Sequence, residues 1–176
     1  MASPLIELER FLPYRISVLA NVMSTAIAAA YEERFGLTIP EWRVIAVLSR
    51  YPGLSAREVA QKSRMDAVAV SRAVNRLLRA GRLRRAIATD DRRRSVLEVS
   101  DAGAAVYREV APLALDFERS LLESISSTEG AQFERLIGVL TERAERLSVR
   151  LRNGRSSPRK KGRPTQPTAS SRPRRR

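Results

Sequence analysis

Residues 55–81, SAREVAQKSRMDAVAVSRAVNRLLRAG, decide the fold. Ser55 followed three residues later by Glu58 has the form of a capping box, in which the hydroxyl accepts a first-turn N–H and the carboxylate reaches back to the cap. A short helix, Ala56–Lys62, should follow, broken at Ser63–Met65. Asp66 is a good N-cap for a second helix running to Ala80, and Gly81 is its stop. In that helix Val70, Val74 and Leu77 share one stripe and turn to a core, leaving Ala67, Ser71, Arg72, Arg76 and Arg79 outside. Two short helices across a tight turn, the second exposing small residues and arginines, have the pattern of a helix-turn-helix whose second helix enters the major groove.

Upstream, Pro40 and Glu41 suit the first turn of a helix that closes at about Tyr51, before Pro52-Gly53, with Val44, Ile45 and Leu48 on its core face. Downstream, Leu83–Ala88 and Ser95–Val99 read as two strands around the polar tip 89–94 (TDDRRR). The result is a cationic finger placed directly after the helix-turn-helix, of a size suited to the narrow minor groove. Asp91 can brace one of Arg92, Arg93 and Arg94 through a charge-assisted hydrogen bond. Beyond it, Asp101–Ser126 and Glu129–Leu151 carry apolar residues at threes and fours, the signature of long amphipathic helices, with Pro112 expected to kink the first.

The chain has 176 residues, 33 Lys+Arg against 19 Asp+Glu, and a formal net charge of +14. A polyanion is therefore the first partner to consider. Nine of those cations, with four prolines and no acid, fall in Asn153–Arg176, which leaves +5 on residues 1–152. Such a segment cannot bury enough to offset its ordering entropy and is expected to be a disordered tail.

Cysteine and histidine are both absent. This removes thiol and imidazole metal ligands, thiol redox sensing and the usual neutral-pH general base, and the chain holds neither a phosphate-cradling glycine loop nor a paired-carboxylate motif. The expectation is a protein with no catalytic activity and no cofactor. The uncharged run Ile16–Tyr31 lacks a basic flank and is interrupted by Asn21, Ser24 and Thr25, while Leu12, Ile16, Leu19, Met23 and Ile27 recur at helical spacing. It reads as a packing helix of a cytoplasmic protein with no membrane partner, rather than as a leader.

The helix order, Val70-Ser71-Arg72 followed by Arg76-Leu77 and Gly81, and above all Asp91-Arg92-Arg93 followed by Leu97-Glu98-Val99-Ser100-Asp101-Ala102-Gly103, resemble the multiple antibiotic resistance regulator (MarR) family. The resemblance spans about Phe11 to Leu151. It departs from the family's habit at Ser100, where a threonine is common, and in the basic tail.

The resemblance implies a mainly α fold with a small two- or three-stranded β-wing. It divides the chain, ahead of the tail (153–176) that composition marks off, into an N-terminal dimerisation helix (1–36), a winged helix-turn-helix lobe (37–100) and C-terminal dimerisation helices (101–152). It further implies a homodimer on a pseudopalindromic double-stranded operator, usually repressing until a small, often aromatic or anionic, molecule releases it; an acyl-CoA is suggested instead by the aromatic and cationic side chains of the effector candidates. Arg93 would then lie in the minor groove, braced by Asp91.

The candidate DNA-binding residues are Ser55, Asp66, Ala67, Ala69, Val70, Ser71, Arg72, Arg76, Asp91, Arg92, Arg93 and Arg94; Val70 is thus counted both there and with the core stripe. Tyr14, Arg15, Trp42 and Arg43, which combine aromatic faces with cations, are the candidate effector-binding residues. The competing reading is a sequence-tolerant architectural nucleic-acid binder driven by the tail through counterion release.

Overall fold

A computed structural model describes residues 5–87 and 95–155, with side chains through Leu151. It comprises α1 (Leu12–Phe35), α2 (Ile39–Arg50), α3 (Ala56–Ser63), α4 (Ala67–Arg79), β1 (Leu83–Ile87), β2 (Ser95–Val99), α5 (Asp101–Leu122) and α6 (Ser127–Arg155). The expected strand end at Ala88 and the wing tip 89–94 lie outside the described residues. So does the tail from residue 156, whereas α6 carries helix to Arg155, three residues into the stretch that composition assigned to the tail.

Several of the helices begin where a side chain can satisfy the free N–H groups of the first turn, whereas α1 starts at Phe11 without such a cap and with a proline in its first turn. In α3 the Glu58 carboxylate accepts the Ser55 N–H and hydroxyl, both at 2.7 Å, while the Ser55 hydroxyl accepts the Glu58 N–H at 3.3 Å. In α4 Asp66 Oδ1 accepts from Val68 and Ala69 at 2.9 and 3.0 Å. Two further caps were not read in the sequence. Glu41, a buried carboxylate, accepts the Thr38 N–H and hydroxyl at 2.7 and 2.8 Å, and Glu129 does the same for Ser126 at 2.8 and 2.7 Å. α1 ends at Gly36 and α4 is followed by Gly81, whose φ angles of +62° and +65° favour glycine. α5 runs on through Pro112.

The residues from Leu5 to Ser124 form one unit. Its core joins Val44, Ile45 and Leu48 of α2, Val59 of α3, Val70, Val74 and Leu77 of α4, Leu83 and Leu97 of the hairpin, and Val106 and Val110 of α5. Burying each such side chain contributes on the order of 1.5–3 kcal/mol, so the stripe on α4 is what locks it against α2 and α3. β1 and β2 pair antiparallel in the register Leu83 with Val99 through Ile87 with Ser95. The third strand allowed by the sequence is reduced to one bridge, in which Leu97 N–H donates to the Leu54 carbonyl at 2.9 Å.

The described residues from Ile125 to Arg155 form a second unit, which holds α6, along which Phe133, Leu136, Ile137, Leu140 and Leu147 are exposed. α1 likewise leaves Leu12, Ile16, Leu19 and Val22 exposed, and buries only Ala28 and Tyr31. Among the described residues no helix is long and apolar enough to cross a membrane.

Candidate nucleic-acid interface

The buried stripe of α4 fixes what the opposite face presents. Ala67, Val68, Ser71, Arg72, Asn75, Arg76 and Arg79 are exposed, and Ala69 is half-buried at the margin. Among the described residues neither Arg72 nor Arg76 is held in an ion pair. Together with Thr38, Pro40, Ala69 and Ala73 they line an open hollow of about 320 Å³ beside the start of α2. Small side chains let a backbone or base edge approach, and free guanidinium groups can meet phosphate or guanine, so this face suits a nucleic-acid duplex.

The sequence candidates fall into three groups. Ala67, Ser71, Arg72 and Arg76 stand on the outer face, and Asp66, although exposed, spends one carboxylate oxygen on the α4 cap. Ser55 is half-buried with its hydroxyl engaged in the α3 cap. Val70 does not belong to the surface: it is 0% exposed, because it lies on the same helical stripe as Val74 and Leu77, and it supports the helix from beneath. Asp91, Arg92, Arg93 and Arg94 lie outside the described residues. The strands that would carry them are held at the base by the Arg84–Glu98 pair at 2.9 Å.

Val68 and Asn75 are outer-face residues that the sequence reading passed over. A signal was present for Val68, since an apolar side chain two residues before Val70 cannot share the buried stripe at 3.6 residues per turn.

A separate cavity of about 330 Å³ is lined by Ala20, Met23, Ser24, Ile27 and Tyr31 of α1 and by Ile39, Trp42 and Arg43 of α2. It brings together two of the four effector candidates, Trp42 and Arg43. Tyr14 and Arg15 are exposed nearer the start of α1 and do not line it. Arg43 donates to the Ser24 hydroxyl at 2.8 Å, and Trp42 lies between Tyr31 and Tyr107 with ring centres 5.7 and 5.8 Å away. Burial pushes the Tyr31 hydroxyl up to about 12, with Arg43 pulling it down and Glu32 pushing it up. Met23, Ser24 and Tyr31 escaped the sequence reading because their convergence on Trp42 depends on how α1 crosses α2.

A model of the MarR family matches residues 35–94. No curated protein sequence matches the chain significantly. Among solved structures it is similar to a MarR/EmrR family transcriptional regulator from Acinetobacter sp. ADP1, at 27% identity over 80% of this chain and 99% of that one, with a TM-score of 0.74. It is also similar to the PcaV transcriptional regulator from Streptomyces coelicolor, solved with its natural ligand, at 25% identity over 81% of this chain and 99% of that one, with a TM-score of 0.62. The fold matches S. aureus MepR, solved as a DNA complex, at 17% identity over 77% of this chain and 98% of that one, with a TM-score of 0.69.

Proposed function

We propose that the chain is a MarR-family winged-helix protein and that it is a homodimeric, sequence-specific transcription regulator, acting as a repressor that a small ligand releases. The observation that carries the reading is the outer face of α4, where Ala67 and Ser71 leave room beside Arg72 and Arg76, neither of which is held in an ion pair among the described residues. Each copy lays that helix in a major groove and directs Arg93, braced by Asp91, into the adjoining minor groove. Residues 37–100 are the DNA-binding lobe, and residues 1–36 and 101–152 supply the dimerisation helices.

Dimerisation is supported by the apolar side chains exposed along α1 and along α6, which a second copy would remove from water. Two-fold symmetry then requires a pseudopalindromic operator with half-sites roughly 34 to 36 Å apart. The cavity at Trp42 and Arg43 suits an aromatic or anionic effector, an acyl-CoA included: the rings supply flat apolar walls and the guanidinium a partner for a carboxylate or phosphate.

Selecting bound fragments from the protein's own genome tests the reading, and Arg93→Ala should then weaken binding to the selected site by about 1–3 kcal/mol. Equal affinities of the two proteins would remove Arg93 from the mechanism. The charge of Asn153–Arg176 favours a second reading, a sequence-tolerant architectural binder. Deleting that segment separates them: a regulator keeps its site preference with a shallower salt dependence, whereas an architectural binder loses most of its affinity.

A further inference from the structure

Val68 is 57% exposed in the first turn of α4, on a face otherwise made of small, polar and cationic side chains. It lies roughly half a turn round from the buried stripe of Val70, Ala73, Val74 and Leu77, so no rotation of the helix that keeps the core intact could bury it. Intramolecular packing leaves more than half of this valine in water, and alanine would serve the helix better. Its neighbours along the same face are Ser71, Arg72 and Asn75 at the positions three, four and seven residues on.

We propose that Val68 is a specificity-determining residue that packs against the 5-methyl group of a thymine in the major groove. This rests on the reading of α4 as the recognition helix. Three features favour thymine over other apolar occupants. The surrounding guanidinium groups of Arg72 and Arg76 complement a polyanion and exclude a wholly apolar partner surface. The first turn of a recognition helix is the part that meets base edges, and the thymine methyl is the major groove's apolar mark. A β-branched side chain in a helix is held in essentially one rotamer, so the Asp66 cap that fixes the first turn also fixes where the two Val68 methyl groups point.

The test uses the full chain and an operator fragment recovered by genomic selection, in which each thymine in turn is replaced by deoxyuridine, removing one methyl group and nothing else. In each half-site one replacement should lower the affinity of the unaltered protein about fourfold, the weight of one methyl group taken from water. Val68→Ala should bind the unmodified operator more weakly by a similar factor and be indifferent to that same replacement. Val68 is exposed and alanine is a strong helix former, so the variant should fold, and its helical circular dichroism checks this. If no replacement matters, or if Val68→Ala suffers from the same replacements as strongly as the unaltered protein, the inference is overturned while the regulator reading stands. If the full chain selects no common sequence, the regulator reading falls and takes this inference with it.

Discussion

The guanidinium of Arg82 donates a 2.6 Å hydrogen bond to the backbone carbonyl of Phe35, 47 residues away, and so ties the residue before β1 to the last residue of α1. The last carbonyls of a helix lack partners within it and carry the negative end of its dipole, so a cation is well placed there. Arg82 also accepts the Ser100 N–H at 3.1 Å through its own carbonyl and donates its N–H to Leu77 at 2.9 Å. One residue thus gathers α1, α4, the hairpin and the start of α5.

Arg82→Ala should lower unfolding free energy by about 1.5–3 kcal/mol, the scale of a hydrogen bond to a charged group, measured by urea denaturation. A change within a few tenths of a kcal/mol would mean that the α1 carbonyl finds an equally good partner in water.

Gly103 in α5 is pressed against the same residue. A Cβ there would lie 2.1 Å from the Arg82 carbonyl oxygen and 2.8 Å from Val99 Cγ1. The carbonyl cannot retreat without losing the Ser100 hydrogen bond. Gly103→Ala should therefore destabilise by about 1–3 kcal/mol, as overpacking does. Gly138→Ala in α6, where nothing lies within 4 Å, should instead stabilise by up to about 1 kcal/mol. Thermal unfolding of the two variants should show melting temperatures moving in opposite directions.

Tyr31 makes stability depend on alkaline pH. Its hydroxyl keeps its proton up to about 12 in the folded chain, chiefly because the ring is buried, whereas the unfolded chain releases it near 10. Between these values the folded state holds more protons than the unfolded one. Stability from this group is thus fully present below pH about 10 and is lost as pH rises towards 12. The urea midpoint of the unaltered protein should fall relative to that of Tyr31→Phe across this window; parallel curves would contradict the assignment.

Trp42 is the chain's single tryptophan and lines the α1–α2 cavity, which makes its fluorescence a reporter of occupancy. An aromatic carboxylate such as salicylate should alter it saturably. Arg43→Ala should weaken that binding about 10- to 100-fold, the scale of a charged hydrogen bond. A titration unaffected by Arg43→Ala would place the ligand elsewhere.

The amino-acid order determined the helix-turn-helix, because its signals are local. The Ser55–Glu58 box, the Asp66 cap, the 3.6-residue stripe of Val70, Val74 and Leu77, and Gly81 each act within a turn or two of chain. The two strands were legible for the same reason, although their register came from the structure, and Gly103, noticed only as part of a resemblance, has its physical reason in the Arg82 carbonyl.

What tertiary structure alone decided are the relations between distant segments: α1 crossing α2 to converge Tyr31, Ser24 and Arg43 on one cavity without Tyr14 or Arg15, and Arg82 reaching Phe35. Periodicity states which face of a helix is apolar, but not which other element will cover it. That choice depends on side chains packing across tens of residues of separation, and no local pattern in the chain records it.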